Sequence, residues 1–140
     1  MKQDYKQAFT AICDEAKRVF SQAYVPYSNF PVGAAILTTK GNIFASCNVE
    51  NAAFPQGTCA EAGAIAAMIS AGEHEPIHIV VCGSSSDVAC TPCGGCRQRL
   101  REFCSPQTPI TMISESGNVI LDTTMEKLLP YSFGPENLAR

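Results

Sequence analysis

Two short cysteine-bearing stretches constrain this chain more than any other feature: Thr58-Cys59-Ala60-Glu61 and Thr91-Pro92-Cys93-Gly94-Gly95-Cys96. Each has the pattern of a helix start, with a threonine in position to act as the N-cap. Cys93 and Cys96 are three residues apart and therefore share one helix face. Because a helix N-terminus favours thiolate, two converging helix starts would bring three thiolates together. That is the open, three-ligand arrangement of a catalytic zinc ion.

Glu61 follows the first cysteine by two residues, so its carboxylate can face a metal-bound water without ligating the metal. A capping box is the simpler alternative, in which Glu61 only bonds the backbone N–H of Thr58. Two other metal sites also remain open. Cys90-x-x-Cys93-x-x-Cys96 matches the start of an iron–sulfur run, although Leu100 occupies the fourth position. A closed structural zinc would need Cys90 or Cys82 as its fourth ligand.

Composition narrows the functional classes. The 140 residues predict a single domain, 1–140, and the net charge of −3 without a basic run argues against binding a nucleic acid polymer. The polar N-terminus and the lack of an apolar stretch of about 18–20 residues predict no signal peptide, no membrane span and a cytoplasmic location. In that compartment the eight cysteines are expected to be metal ligands or free thiols, with disulfides as the alternative.

Hydrophobic periodicity predicts an ordered series of elements. They are a helix over 4–23, a hairpin of strands 32–38 and 42–48, a helix over 60–71, a strand over 77–82, a helix over 93–104, strands 110–114 and 118–121, and a helix over 124–129. This order predicts an α/β fold, a three-layer α-β-α sandwich around a mixed five-stranded sheet. His74 and His78 lie outside any ligand spacing, so surface or strand-end positions are expected.

Several longer motifs carry a family resemblance. Cys59-Ala60-Glu61 with Pro92-Cys93-Gly94-Gly95-Cys96-Arg97-Gln98 is similar to the signature of zinc nucleoside deaminases. Three further stretches resemble the small, homotetrameric cytidine deaminases: Val25-Pro26-Tyr27-Ser28-Asn29-Phe30, Cys47-Asn48-Val49-Glu50-Asn51-Ala52, and Leu128-Leu129-Pro130 with Phe133-Gly134. The resemblance runs from about residue 24 to the C-terminus, in the family's order.

The resemblance implies hydrolytic deamination of cytidine and 2′-deoxycytidine to the uridines with release of ammonia, in pyrimidine salvage. One Zn²⁺ per subunit would be held by Cys59, Cys93 and Cys96, with Glu61 as the catalytic proton shuttle. The nucleoside would be bound by residues from several segments: Phe30, Asn48, Val49, Glu50, Phe54, Ala60 and Phe133. Phe30 would stack on the base, and Phe133 would close the pocket of a neighbouring subunit of a homotetramer. Phe54 occupies a position where the family usually has tyrosine.

One departure from the family concerns charge. Many three-cysteine members have arginine directly after the catalytic glutamate, and this chain has Ala62. Three thiolates with Zn²⁺ sum to −1, so we expect Arg97 to offset the excess negative charge through N–H···S bonds behind the ligands.

Two alternative functions remain. One is a deaminase for another aminopyrimidine nucleoside, such as a blasticidin-type antibiotic. The other is a non-enzymatic structural-zinc module.

Overall fold

The structure, a computed structural model, describes residues 2–138. The helices are α1 Lys2–Phe20, α2 Ala60–Ser70, α3 Gly94–Arg101 and α4 Met125–Leu128. The strands are β1 Gly33–Thr38, β2 Ile43–Cys47, β3 Pro76–Gly83, β4 Pro109–Ser114 and β5 Val119–Thr124. Short 3₁₀ turns follow at Phe54–Gln56 and Pro135–Leu138. No helix within residues 2–138 has the length and apolar character needed to cross a membrane.

The strands of this part of the chain form one sheet of five, in the order β2-β1-β3-β4-β5. β3 and β4 are parallel, whereas the other neighbouring pairs are antiparallel. The β1–β2 hairpin turns at Gly41, whose φ of +85° suits glycine because it has no Cβ. The predicted α/β fold with a mixed five-stranded sheet is therefore confirmed.

Two apolar layers cover the sheet, because alternate strand residues point to opposite faces. On one face α1 packs against β1, β3 and β4 through Ile12, Ala16, Phe20, Ala35, Leu37, Val80, Cys82 and Ile113. On the other face α2, α3 and α4 pack against the same strands through Ile36, Ala64, Met68, Ile79, Val81, Leu100, Met112 and Met125. The predicted helical layers thus enclose the sheet from both sides.

Strand register brings three chain segments to one edge of the sheet. Gly33, the first residue of β1, pairs with Cys47 at the end of β2 and with Cys82 near the end of β3. The segment before β1 and the segments after β2 and β3 therefore begin side by side. Ligand sites of open α/β sheets commonly form where such strands end.

The helix caps differ from the prediction. The N-caps are Cys59 for α2 and Cys93 for α3, and neither makes a side-chain cap hydrogen bond. Thr58 is not a cap because its backbone forms a two-way bridge with Val49, at 2.9 Å in each direction. Thr91 is not a cap because α3 begins at Gly94, two residues after Pro92. The expectation that Thr58 and Thr91 cap these helices was wrong.

His78, for which a surface or strand-end position was expected, is buried. It lies inside β3, is 3% exposed, and stacks against the rings of Tyr5 and Phe9 on α1. Its Nε2 lies 2.9 Å from Thr111 Oγ1, and the Thr111 hydroxyl donates to Asp122 at 2.8 Å. Because the single Thr111 proton is used in that way, His78 Nε2 must carry the proton and donate to Thr111. Burial lowers the pKa of His78, and the Asp122 charge opposes that shift.

Candidate active site

The two helix starts do converge. The sulfur atoms of Cys59, Cys93 and Cys96 lie within 4.8 Å of one another. Three sulfurs held at about 2.3 Å from a tetrahedral ion lie about 3.8 Å apart, so this donor set fits zinc with little adjustment. Cys59 and Cys93 are exposed N-cap residues, while Cys96 is buried in the first turn of α3. The cluster therefore meets solvent through Cys59 and Cys93, with Cys96 beneath them.

Other cysteines do not join this cluster. Among residues 2–138, the sulfurs of Cys90 and Cys82 are not members of the group. Cys82 packs in the α1 layer, on the opposite face of the sheet from α2 and α3. All eight cysteines are free thiols, so the disulfide alternative does not apply. Neither an iron–sulfur run nor a four-cysteine structural zinc has its ligands assembled here.

The three thiols differ in how readily they ionise. The backbone N–H of Cys96 bonds to the Cys93 sulfur and lowers the pKa of that thiol. Burial raises the pKa of Cys59 and of Cys96. A divalent cation that binds must therefore displace protons from the raised-pKa thiols of Cys59 and Cys96, which makes metal affinity depend on pH.

Glu61 lies beside this cluster on the first turn of α2 and is 4% exposed. Burial raises the pKa of its carboxyl group, and the positive charge of Arg99 acts in the opposite direction. The capping-box alternative fails because the backbone N–H of Thr58 donates to Val49 O at 2.9 Å. The carboxyl group is thus held next to the sulfurs for a reason other than helix capping.

Two pockets contain most of the predicted substrate residues. The first, of about 240 Å³, is lined by Phe30, Val32, Asn48, Cys59, Ala60, Glu61, Cys90, Thr91 and Cys93. The second, of about 320 Å³, is lined by Tyr27, Ser28, Glu50, Asn51, Phe54 and Gly57. The sequence predicted no substrate contact for Val32, Thr91 or Cys90, which line the first pocket. The only signals that could have indicated them are their positions in the chain: Val32 directly precedes β1, and Cys90 and Thr91 lie just before Cys93.

Asn48 and Glu50 follow β2, and both hold the segment that carries Phe30. Asn48 Oδ1 accepts from Val32 N at 2.9 Å, and its Nδ2 donates to Phe30 O at 2.9 Å. Glu50 Oε1 accepts the backbone N–H groups of Tyr27 and Ser28 at 3.0 and 3.1 Å. The Ser28 hydroxyl donates to Glu50 Oε2 at 2.5 Å and lowers the pKa of that carboxyl.

Three other predicted residues lie at the rim or beyond it. Phe54 is 74% exposed and meets the Tyr27 ring edge-on at 5.7 Å. Val49 pairs with Thr58 through its backbone and leaves its side chain half exposed. Phe133 is 57% exposed and lines neither of these two pockets. Its backbone carbonyl accepts from Gln98 Nε2 at 2.9 Å, so α3 holds the segment that presents it.

Arg97 has partners other than the expected sulfurs. Its Nε donates to Pro92 O and its Nη1 donates to Leu128 O, both at 2.7 Å. Among residues 2–138 no hydrogen bond joins this guanidinium to a cysteine sulfur. Arg97 therefore ties the turn before Cys93 to the end of α4.

Comparison with known proteins places this geometry in a family. Residues 6–112 match the family model described as "Cytidine and deoxycytidylate deaminase zinc-binding region". A cytidine deaminase of Sporosarcina psychrophila is 41% identical over 125 residues, which span 89% of this chain and 90% of that protein. One from Halalkalibacterium halodurans is 36% identical over 89% of this chain and 92% of its own length. The crystal structure of cytidine deaminase from Burkholderia pseudomallei superposes with a TM-score of 0.81 at 37% identity, covering 89% and 98% of the two chains.

Proposed function

This chain belongs to the cytidine and deoxycytidylate deaminase family of zinc-binding enzymes, and we propose that it deaminates the free nucleosides cytidine and 2′-deoxycytidine. The reaction joins a water oxygen to C4 of the pyrimidine and breaks the bond from C4 to the amino nitrogen, which leaves as ammonia. The observation that supports this proposal best is the buried Glu61 carboxyl beside the cluster of Cys59, Cys93 and Cys96 sulfurs.

Glu61 is the proposed proton shuttle. A zinc ion held by the three sulfurs would supply the Lewis acidity that lowers the pKa of the attacking water. The Glu61 carboxylate takes a proton from that water, delivers it to N3 of the base, and then serves the departing amino group. Its buried position and raised pKa suit a group that must both accept and donate a proton near neutral pH.

Orientation of the nucleoside is assigned to the two pockets. Phe30 stacks on the base, the Ala60 backbone N–H meets the base carbonyl, and Asn48 and Glu50 bind ribose hydroxyls. Val49 and Phe54 border the sugar. Support comes from the lining of the two pockets: the first includes Cys59 and Cys93 of the sulfur cluster, and the second includes the Glu50 carboxylate, whose pKa is lowered.

The same lining favours nucleosides over nucleotides. Neither set of lining residues includes a lysine or an arginine, whereas the second pocket includes Glu50. A 5′-phosphate would place about two negative charges in this region without a cation to offset them. Deoxycytidylate should therefore be a much poorer substrate than deoxycytidine.

The wider biological setting is also proposed. We assign the chain to pyrimidine salvage in the cytoplasm, as one domain over residues 1–140 that assembles into a homotetramer. Tyr131, Phe133 and Leu138 are all exposed apolar side chains near the C-terminus. Covering them at a shared interface would bury apolar surface and bring Phe133 to a neighbouring pocket.

An absorbance assay tests the proposal directly. Zinc-loaded protein should convert cytidine and 2′-deoxycytidine, lose that activity with a strong chelator, and regain it when zinc is added back. Cytidine monophosphate should react far more slowly. If cytidine stays unchanged while an antibiotic aminopyrimidine nucleoside reacts, the substrate assignment is wrong. If neither nucleoside reacts, the result favours the alternative of a structural-zinc module without enzymatic activity.

A further inference from the structure

The loop before β1 contains a serine that connects two parts of the proposed substrate site. Ser28 Oγ donates its only proton to Glu50 Oε2 at 2.5 Å. The same oxygen accepts the backbone N–H of Phe30 at 3.0 Å. These directions are set by chemistry, because an ionised carboxylate can only accept and a backbone N–H can only donate. One hydroxyl therefore connects Glu50, which is assigned to the ribose, with Phe30, which is assigned to the base.

The local backbone is shaped to make this link. Asn29, between the two, has a φ of +56°, in the left-handed region that asparagine tolerates better than most residues. Its N–H donates to Val25 O at 2.9 Å, which closes a single turn of chain. That turn directs the Phe30 N–H back towards the Ser28 hydroxyl.

The hydroxyl also completes the fixation of the Glu50 carboxylate. Two backbone N–H groups hold Oε1, and Ser28 Oγ is the partner of Oε2 among residues 2–138. Without that bond only Oε1 would keep its hydrogen bonds, and the plane of the carboxylate at the second pocket would be less firmly set. Charge-assisted hydrogen bonds of this kind are stronger than neutral ones.

We infer that Ser28 is a positioning residue for substrate binding, whose hydroxyl sets the orientation of Glu50 and Phe30 together. This inference rests on the proposed function, since it assigns those two residues to the nucleoside. Ser28 acts before the chemical step. Its loss should therefore weaken binding of the substrate and of the transition state alike, which raises KM and leaves kcat nearly unchanged.

Valine and threonine at position 28 form the matched test, because they have the same shape and only threonine has a hydroxyl. Once the unmodified chain is seen to deaminate cytidine, Ser28→Val should raise KM by about tenfold, with kcat within about threefold. Ser28→Thr should keep KM within about threefold of the original value. Ser86→Ala, in an exposed loop away from both pockets, should change neither constant.

A double-mutant cycle separates positioning from a general effect on structure. In a Glu50→Ala background the carboxylate that Ser28 orients is gone and only the Phe30 N–H still bonds to the hydroxyl, so Ser28→Val should raise KM by clearly less than the factor of about ten expected in the original chain. A KM within about twofold of the original for Ser28→Val alone would overturn the inference. So would an equal loss for Ser28→Thr, a full tenfold penalty in the Glu50→Ala background, or a fall in kcat without a change in KM. An unmodified chain that leaves cytidine untouched refutes the proposed function first, and this inference with it.

Discussion

Gly63 controls how closely α2, the helix that begins at the metal cluster, approaches the sheet. An alanine there would put its Cβ 2.2 Å from Ser46 Oγ and 2.8 Å from Ser46 Cβ. The Ser46 hydroxyl can rotate away, but its Cβ is fixed to the backbone of β2. Gly63→Ala should therefore force α2 and β2 apart.

Two effects of opposite sign decide the result. Replacing glycine by alanine inside a helix stabilises it by up to about 1 kcal/mol. Overpacking a close contact costs about 1–3 kcal/mol. Since carbon atoms prefer a separation of about 3.5–4.0 Å, the 2.8 Å contact is severe and the clash should win. We expect Gly63→Ala to lower the free energy of unfolding by about 1–2 kcal/mol.

Urea unfolding of four proteins tests this reasoning: the original chain, Gly63→Ala, Ser46→Gly, and the double variant. Without a side chain at position 46 the clash disappears, so Gly63→Ala should stabilise the Ser46→Gly protein by up to about 1 kcal/mol. The same substitution should thus have opposite signs in the two backgrounds. The Gly63 N–H donates to Cys59 O at 3.2 Å, so zinc retention should weaken only in the clashing variant. An equal effect in both backgrounds would refute the argument.

Three further predictions concern the site and the opposite face of the sheet. Glu61→Gln should lower kcat for cytidine by about 10²–10⁴-fold. Zinc content should stay unchanged because glutamine fills the same buried space. Loss of zinc or an unchanged kcat would contradict the shuttle role. In Arg97→Lys the lysine side chain cannot reach both Pro92 O and Leu128 O. Zinc affinity, measured by chelator competition, should therefore fall about tenfold or more. An unchanged affinity would exclude a role for Arg97 in supporting the zinc ligands. Burial holds the pKa of His78 below its ordinary value of 6.5, so below that pH the unfolded chain takes up a proton that the folded chain refuses. The free energy of unfolding should then fall as pH decreases below about 6.5 and level off below the folded pKa, and His78→Asn should lack this component in urea unfolding between about pH 5 and 8; the same slope in both proteins would contradict it.

Periodicity predicted the helices well because an amphipathic helix buries one apolar face against the sheet. β3 reads as an unbroken apolar run since helices cover both of its sides, and the β1–β2 hairpin was visible in Gly41. The spacing of Cys93 and Cys96 behind a proline likewise predicted one face of α3. The local sequence could not predict that the Thr58 backbone pairs with Val49. This contact spans a loop and prevents Thr58 from acting as the N-cap.

The partners of polar side chains were the least predictable part of the site. Arg97 was expected at the sulfurs because it adjoins Cys96, but its donors reach the carbonyls of Pro92 and Leu128, which only the packing of α4 brings near. Ser28 was visible only as part of a family motif. A serine two residues before an aromatic residue, with asparagine between them, is the local signal for the turn that it makes.

X-ray absorption at the zinc K-edge tests the central claim most directly. We propose that Cys59, Cys93 and Cys96 bind one zinc ion and leave its fourth position open to solvent and substrate. The resting protein should therefore show three sulfur neighbours at about 2.3 Å and one oxygen or nitrogen neighbour at about 2.0–2.1 Å, with one zinc per chain. Four sulfur neighbours, or a protein that retains no zinc, would contradict it.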